Sequence, residues 1–227
     1  MTVTAANTAA WQAHAEQRLA DRTTRPRKPP TRMQWTQHPN TGPGAELLGD
    51  LSGRFVVELG CGPAHNLAYL VHHHQAVGIG VDAARAQIHR AEVLYGHLDD
   101  LTLFTADSAD FLTTTKHTFD VVYSVFGALG LSPPDPILAG IRRRLRAGGR
   151  LGFSVLHEAR VHGGNSPGPV PGALALPDGQ HRAITRWALG LVGWADLLSR
   201  HGFTVDEQQV LSPITGQSCL IITAHST

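Results

Sequence analysis

The 227-residue chain is poor in cysteine, with Cys61 and Cys219 its only two. Two thiols cannot build a disulfide framework, so a disulfide-stapled scaffold is excluded and a reducing, cytoplasmic setting is expected. Neither sign of charge is in excess. Nineteen Lys and Arg against 18 Asp and Glu leave a net charge of +1, which supplies no global field for nucleic acid or a membrane surface. Long apolar runs are missing as well. The most apolar late window, around Leu189 to Trp194, is short and lies close to Arg186 and Asp196, too polar a context to span a bilayer. The opening MTVTAANTAAWQAHAEQ has no basic segment leading into an apolar one, so no signal peptide is expected. Lysine is scarce too, with Lys28 and Lys116 alone among the basic residues, a bias of composition and not of function. What remains is 42% hydrophobic residues, enough for one sizeable α/β domain and cramped for two.

The most informative stretch is Phe55-Val56-Val57-Glu58-Leu59-Gly60-Cys61-Gly62-Pro63-Ala64-His65. Its β-branched and aromatic start reads as an interior parallel strand. Gly60 and Gly62 then supply a turn where backbone can approach a ligand closely before a helix begins. Around it, strands are expected at about 76–81, 101–105, 119–124 and 150–156, alternating with helices at about 64–74, 84–94, 108–112 and 133–146. Five alternations of this kind indicate a doubly wound parallel sheet. Ahead of them lie an amphipathic helix over about 5–20 and a basic, proline-containing stretch from Asp21 to Arg32. Arg22, Arg25, Arg27, Lys28 and Arg32 in that stretch suit a phosphate or nucleic acid, but a solvated linker is the expectation. Residues 157–180 read as a Gly/Pro-rich loop, and 182–189 as a short strand or helix. A helix over 193–201 and two strands, 203–210 and 218–224, complete the chain. His72-His73-His74 looks like a metal cluster, but adjacent helical residues diverge by 100°, so a solvated helix end is expected and no metal.

In open α/β sheets, ligands sit at the carboxyl ends of the strands. Asp82, 22 residues after Gly60, suits a ribose diol, and Asp107 at the end of the third strand can accept a proton from an exocyclic amine. An adenosine-containing ligand follows. A nicotinamide dinucleotide would want a third glycine where His65 stands, and Glu58 is poorly placed beside a pyrophosphate but well placed for a positive amine.

The ordered series Val57-Glu58-Leu59-Gly60-Cys61-Gly62, Gly80-Val81-Asp82, Ala106-Asp107-Ser108, Phe119 to Ser124 and Arg144 to Leu151 resembles the class I S-adenosylmethionine-dependent methyltransferases over roughly residues 45 to 156. One departure is Ala64, where the family often has glycine. The resemblance implies a seven-stranded, mostly parallel, Rossmann-like sheet with an N-terminal helical lid. Residues 1–44 would form the helix and lid, and 45–227 the methyltransferase domain, with a substrate-capping insertion at about 157–190. It further implies S-adenosyl-L-methionine as methyl donor and S-adenosyl-L-homocysteine as product. Gly60, Cys61 and Gly62 would line the methionine part. Glu58 would orient that turn and the amine, and Ser124 would offer it a carbonyl. Asp82 would hold the ribose, Gln87 would lie beside ribose or adenine, and Asp107 with Ser108 would recognise adenine. Trp35 is weighed as a cover over the cofactor against plain core packing. Cys61 reads as an inert small residue.

Methyl transfer needs alignment and, for a protonated acceptor, a base. His157, first outside the fifth strand, is the named candidate. Tyr123, Glu158, His162 and His65 share the neighbourhood. The adenine- and glutamine-methylating Asn/Asp-Pro-Pro-aromatic segment is replaced here by Ser124-Val125-Phe126-Gly127, and neither cysteine sits in a Pro-Cys context. The expectation is therefore an O- or N-methylated small molecule, first of all a specialised metabolite, without nucleic acid or membrane partners. Alternatives kept open are a protein of this fold that binds the cofactor without methylating, as a cyclase or binding module, and an RNA or protein methylase. The oligomeric state, a homodimer included, is left open.

Overall fold

The computed structural model describes residues 2–21, 24–157, 169–212 and 218–226. Strands β1 (Phe55–Leu59), β2 (Val77–Asp82), β3 (Leu101–Thr105), β4 (Phe119–Val125), β5 (Leu145–His157), β8 (Phe203–Leu211) and β9 (Ser218–Ser226) form one seven-stranded sheet in the order β3-β2-β1-β4-β5-β9-β8. The first five pair in parallel, and β9 enters antiparallel between β5 and β8. This is the doubly wound, mostly parallel sheet expected of the methyltransferase pattern. Its strand order reverses between β1 and β4, which opens a crevice at their carboxyl ends.

The sheet is covered on both faces because its strands are apolar on both sides. Along β1, Val57 and Leu59 join one cluster and Val56 joins the other, as the period of two requires. The first cluster packs on α4 (Ser108–Thr114), α6 (Pro134–Arg144) and α7 (Leu191–Arg200) through Leu112, Ile137, Ile141, Trp194 and Leu198. The second packs on α2 (His65–His74) and α3 (Arg85–Tyr95) through Leu67, Leu70, Ile88 and Ala91.

Three local expectations are corrected. The helix expected to run to Arg146 ends at Arg144, and β5 starts at Leu145, opposite Phe119. Its Gly148 and Gly149 thus lie in the strand and not in a helix stop. A separate short helix, α5 (Ala128–Leu131), precedes α6. The loop expected over 157–180 contains β6 (Pro169–Ala175), paired antiparallel with β7 (His181–Trp187) in a two-stranded sheet of its own. Pro169 and Pro171 hid β6, yet a two-stranded ribbon has free edges on which a missing N–H costs nothing.

The N-terminal helix α1 (Val3–Ala20) starts with a Thr2 side-chain cap on Ala5 N–H. It docks on α3, where Gln12 accepts the Ala86 N–H at 2.9 Å, and so satisfies an orphan donor of that helix's first turn. It also meets the β6–β7 hairpin. Gln17 donates to Asp178 at 2.8 Å and accepts the Asp178 N–H at 3.1 Å. No described helix is long and apolar enough to cross a membrane.

Candidate active site

The crevice at the strand reversal holds a cavity of about 220 Å³. Its floor is the Gly60 turn, its sides are the ends of β2, β3 and β4, and its roof is α1. The turn is shaped by backbone bonds. Gly60 and Cys61 N–H both donate to Val81 O, at 2.8 and 3.0 Å, so the chain leaves β1 while still tied to β2. Gly60 and Gly62 have φ of +74° and +51°. The two glycines do different work. A Cβ on Gly60 would meet the Gly127 and Ala128 backbone at 2.7 and 2.6 Å, so this glycine permits the close approach of the β4–α5 turn. A Cβ on Gly62 would meet nothing within 4 Å, so this one leaves open space above the turn. Ala64, where glycine was the family's usual residue, also takes a left-handed φ of 57°. Alanine bears that backbone at a cost of about 1 kcal/mol.

Asp82 ties the turn to the next helix. Its Oδ2 accepts the Gly62 N–H at 2.9 Å and its Oδ1 accepts the Ala84 N–H at 2.8 Å. Burial pushes its pKa up, and the two backbone bonds oppose that shift. A carboxylate has about four acceptor sites, so two remain for a ligand in the cavity that Asp82 lines. Asp107 is the N-cap of α4, accepting from Ala109 and Asp110 N–H through Oδ1, which leaves Oδ2 for the cavity. Ser108 and Gln87 complete this side. Gln87 is only 3% exposed and accepts from Arg90 Nη1 at 2.8 Å.

Seven of the residues expected at a cofactor therefore converge on one cavity: Gly60, Cys61, Gly62, Asp82, Gln87, Asp107 and Ser108. Three do not line it. Glu58 lies under the turn, buried, with its Oε2 accepting from the Tyr123 hydroxyl at 3.0 Å. Burial raises its pKa to about 8, so the isolated site holds it protonated near neutrality. Ser124 is a clamp in which its hydroxyl donates to Leu59 O at 2.8 Å, and the cavity is lined by the next residues, Val125 to Ala128. Trp35 is fully buried core. Its Nε1 donates to Gly44 O at 2.8 Å, and its ring meets Tyr123 edge-on. The aromatics that line the cavity are Trp11 of α1 and Phe126 after β4.

The candidate bases fare differently. His157 ends β5 opposite Ser218 and is not part of the cavity lining. Tyr123 is buried against Glu58, which pushes its pKa further up, so it is no base. His65 begins α2 and binds Tyr95 through Nδ1 at 2.7 Å, away from this cavity. Glu158 and His162 lie outside the described residues. The Cys61 thiol is buried and pushed up in pKa, as an inert residue should be. Among the described residues no group of His, Cys, Asp or Glu could hold a metal. Of the His72–His74 run, His74 bonds Tyr69 at 3.0 Å.

The roof contains a residue the sequence did not single out. Asn7 donates to Leu131 O and Thr185 O at 2.6 and 2.7 Å, and accepts the Thr185 N–H at 2.9 Å. It staples α1 to α5 and to β7. A buried asparagine on the inward face of an amphipathic helix was the available signal. Asn7→Ala strands the Thr185 N–H and is expected to destabilise the protein by about 1–3 kcal/mol. A lowered urea midpoint at unchanged m-value checks this.

Comparison with known proteins fits the same region. Residues 56–149, from β1 to the start of β5, match the family model described as a methyltransferase domain. This part of the chain is similar to a methyltransferase domain. No curated protein sequence matches it. Among solved structures, the chain resembles a protein described as the DhpI-SAM-HEP complex, at 18% identity and a TM-score of 0.68, over 98% of this chain and 97% of that one. It also resembles the glycopeptide N-methyltransferase MtfA complexed with sinefungin, at 18% identity and TM-score 0.59, over 81% and 90% of the two chains. A third is the Burkholderia thailandensis 1,6-didemethyltoxoflavin-N1-methyltransferase, with 19% identity, TM-score 0.54, and 78% and 72% covered. The chain shares its fold with these three.

Proposed function

We propose that this protein is a methyltransferase that moves a methyl group from S-adenosyl-L-methionine to an O or N atom of a small molecule, with a specialised metabolite as the first class of acceptor. The observation that carries the donor assignment is the cavity above Gly62, with Asp82 and Asp107 each keeping unused acceptor sites beside it. On this reading Asp82 holds the ribose hydroxyls, Gln87 lies beside ribose or adenine, and Asp107 with Ser108 receives the adenine amine. The backbone of Gly60, Cys61 and Gly62 follows the methionine part. When bound, the donor supplies an electrophilic methyl on a sulfonium.

The protein's own contribution is alignment and exclusion of water. Helix α1 closes the cavity from above, held by Asn7 to β7 of the 169–187 hairpin. Residues 1–44 as lid and 157–190 as acceptor cap are therefore part of the proposal. Among the described lining residues there is no imidazole or phenol. An amine acceptor in its neutral form suits such a lining, because displacement on carbon then requires no base before attack. For a hydroxyl acceptor, His157 is the base this reading assigns. Two structural relatives support a small or peptidic acceptor by their descriptions: a glycopeptide and 1,6-didemethyltoxoflavin.

The deciding experiment is incubation with methyl-labelled S-adenosylmethionine and a metabolite panel. Label appearing in an acceptor, in step with S-adenosylhomocysteine release, is the expected result. Donor binding with no labelled product from any acceptor, or tight NAD binding without response to S-adenosylhomocysteine, overturns it. The roof makes its own prediction. Trp11→Ala removes the aromatic wall and is expected to weaken S-adenosylhomocysteine binding about tenfold, the equivalent of one lost aromatic contact, as titration calorimetry would show.

A further inference from the structure

Beside the donor cavity lies a second chamber of about 330 Å³. The two share Trp11, Pro63 and Gln87 as a common wall. The second is lined by Arg18 of α1, Arg27 of the following segment, Arg90 of α3, and the rings of His14 and His65. Among the described residues no carboxylate lines it. Arg27 is brought there by its own N–H, which donates to Leu94 O at 3.1 Å. None of the three arginines makes an ion pair among the described residues.

Three like charges converging without an anion is an unfavourable arrangement. Its effects are visible in the neighbours. Burial and the Arg90 and Arg27 charges push His65 down to about 4, and burial with Arg90 and Arg18 lowers His14, so both rings are neutral. Polar atoms here also lack partners. Among the described residues five buried side-chain polar atoms have no hydrogen bond, and three of them, Arg90 Nε, His14 Nδ1 and Trp11 Nε1, belong to residues of this chamber. Buried polar groups are normally satisfied, so such a concentration marks a place where a ligand completes the structure.

We propose that this chamber binds a phosphate-class dianion, shared by Arg18, Arg27 and Arg90. Guanidinium forks match tetrahedral oxyanions, and two negative charges offset three positive ones better than a halide can. The site differs from the methyl-transfer cavity in its lining, since the Gly60 turn's glycines, Asp82, Asp107 and the β4–α5 turn are all absent from it. Its ligand ties α1, the segment after it and α3 together. Because α1 also roofs the donor cavity, the dianion holds the roof down and tightens donor binding. That coupling rests on the donor assignment above, whereas the phosphate site does not. The basic stretch after α1 thus contributes at least Arg27 to a built site. Arg22 lies outside the described residues.

The test uses the full chain without cofactor, in a non-phosphate buffer. Inorganic phosphate and glycerol 3-phosphate are titrated in separate arms at ionic strength matched with sodium chloride. Calorimetry and thermal melting are both read. Saturable binding and a raised Tm are expected with at least one probe. Arg18→Gln with Arg27→Gln, both on exposed side chains, should weaken binding about tenfold or more, while Arg90→Lys, which keeps the charge, should weaken it less. Tighter binding of glycerol 3-phosphate would identify the group as the end of a larger ligand. Tighter binding of inorganic phosphate would identify the free ion. Either supports the site. No saturable binding and no Tm shift beyond sodium chloride with both probes overturns it, as does equal binding by the double variant. In a second step, saturating phosphate should tighten S-adenosylhomocysteine binding about tenfold in the wild type and not in the double variant. Unchanged affinity overturns the coupling. Phosphate binding without any S-adenosylhomocysteine binding overturns the donor assignment and leaves the phosphate site standing.

Discussion

Asp82→Ala is expected to weaken S-adenosylhomocysteine binding about 100-fold and to lower stability by about 1–3 kcal/mol, through two separate losses. The first is the ligand's. Hydrogen bonds from two ribose hydroxyls to a carboxylate are charge-assisted and stronger than neutral ones, so losing them accounts for a factor of this size. The second is the turn's own. Oδ2 holds Gly62 N–H and Oδ1 holds Ala84 N–H, so alanine leaves both donors without these partners in a partly buried place. Asp82→Asn separates the two poorly, because its NH₂ group would face one of these N–H donors. Asp107→Ala is the better contrast. It removes the α4 cap on the Ala109 and Asp110 N–H groups and leaves the glycine turn intact. Calorimetry with S-adenosylhomocysteine beside urea denaturation would measure both parts. Wild-type affinity in a folded Asp82→Ala protein would refute the ribose role and leave only the turn-holding one.

Glu58→Gln is expected to change the pH dependence of stability more than its magnitude at acid pH. Burial raises the folded pKa of Glu58 to about 8, above the ordinary carboxylate value near 4.5. The folded state then binds a proton that the unfolded state has released. Unfolding free energy therefore falls as pH rises from about 4.5 to about 8, by up to about 1.4 kcal/mol per pH unit. Below 4.5 both states are protonated and the contribution is whole. His65 acts in the opposite sense. Its folded value of about 4 lies below the ordinary 6.5, so its contribution is lost as pH falls through that range. Between 6.5 and 8 the Glu58 slope is free of the His65 effect. Glutamine keeps an acceptor for the Tyr123 hydroxyl and cannot ionise. The variant should be flatter across this window and more stable than wild type at pH 8. Urea midpoints at several pH values decide it, and parallel wild-type and variant profiles would show that Glu58 is ionised in the folded protein.

The two acids differ in how far the sequence exposed them. Asp82 and Asp107 were readable because each follows a strand at the turn where chain direction changes, and both line the cavity. Glu58 sits on the same strand as the glycine turn, two residues earlier. Period two sends it to the face of Val56, beneath the turn, where Tyr123 of the neighbouring strand meets it. Ser124 was expected to offer its carbonyl, but the cavity is lined by the residues after it, Val125 to Ala128, while its hydroxyl holds Leu59 O. Of the two readings weighed for Trp35, core packing is the one found, and Trp11 lies at the cavity. Both precede β1 in the chain, and hydrophobic pattern alone cannot distinguish an aromatic that packs under the sheet from one that lies over a cavity. Gly152 opposite Trp35 leaves the room that accepts its ring.

The sequence alone determined the alternation of the five parallel strands with their helices, the glycine turn and the acids at strand ends. These depend on neighbours in the chain: β-branched runs, turn residues and spacing repeat locally and need no partner to be read. Tertiary structure alone decided which side chains share a cavity. Asn7 reaches Thr185, Gln12 reaches Ala86 and Arg18 faces Arg90 only after α1 docks on α3 and on the hairpin. Contacts between residues more than seventy positions apart are set by how helices pack on a finished sheet, and no local pattern encodes that docking.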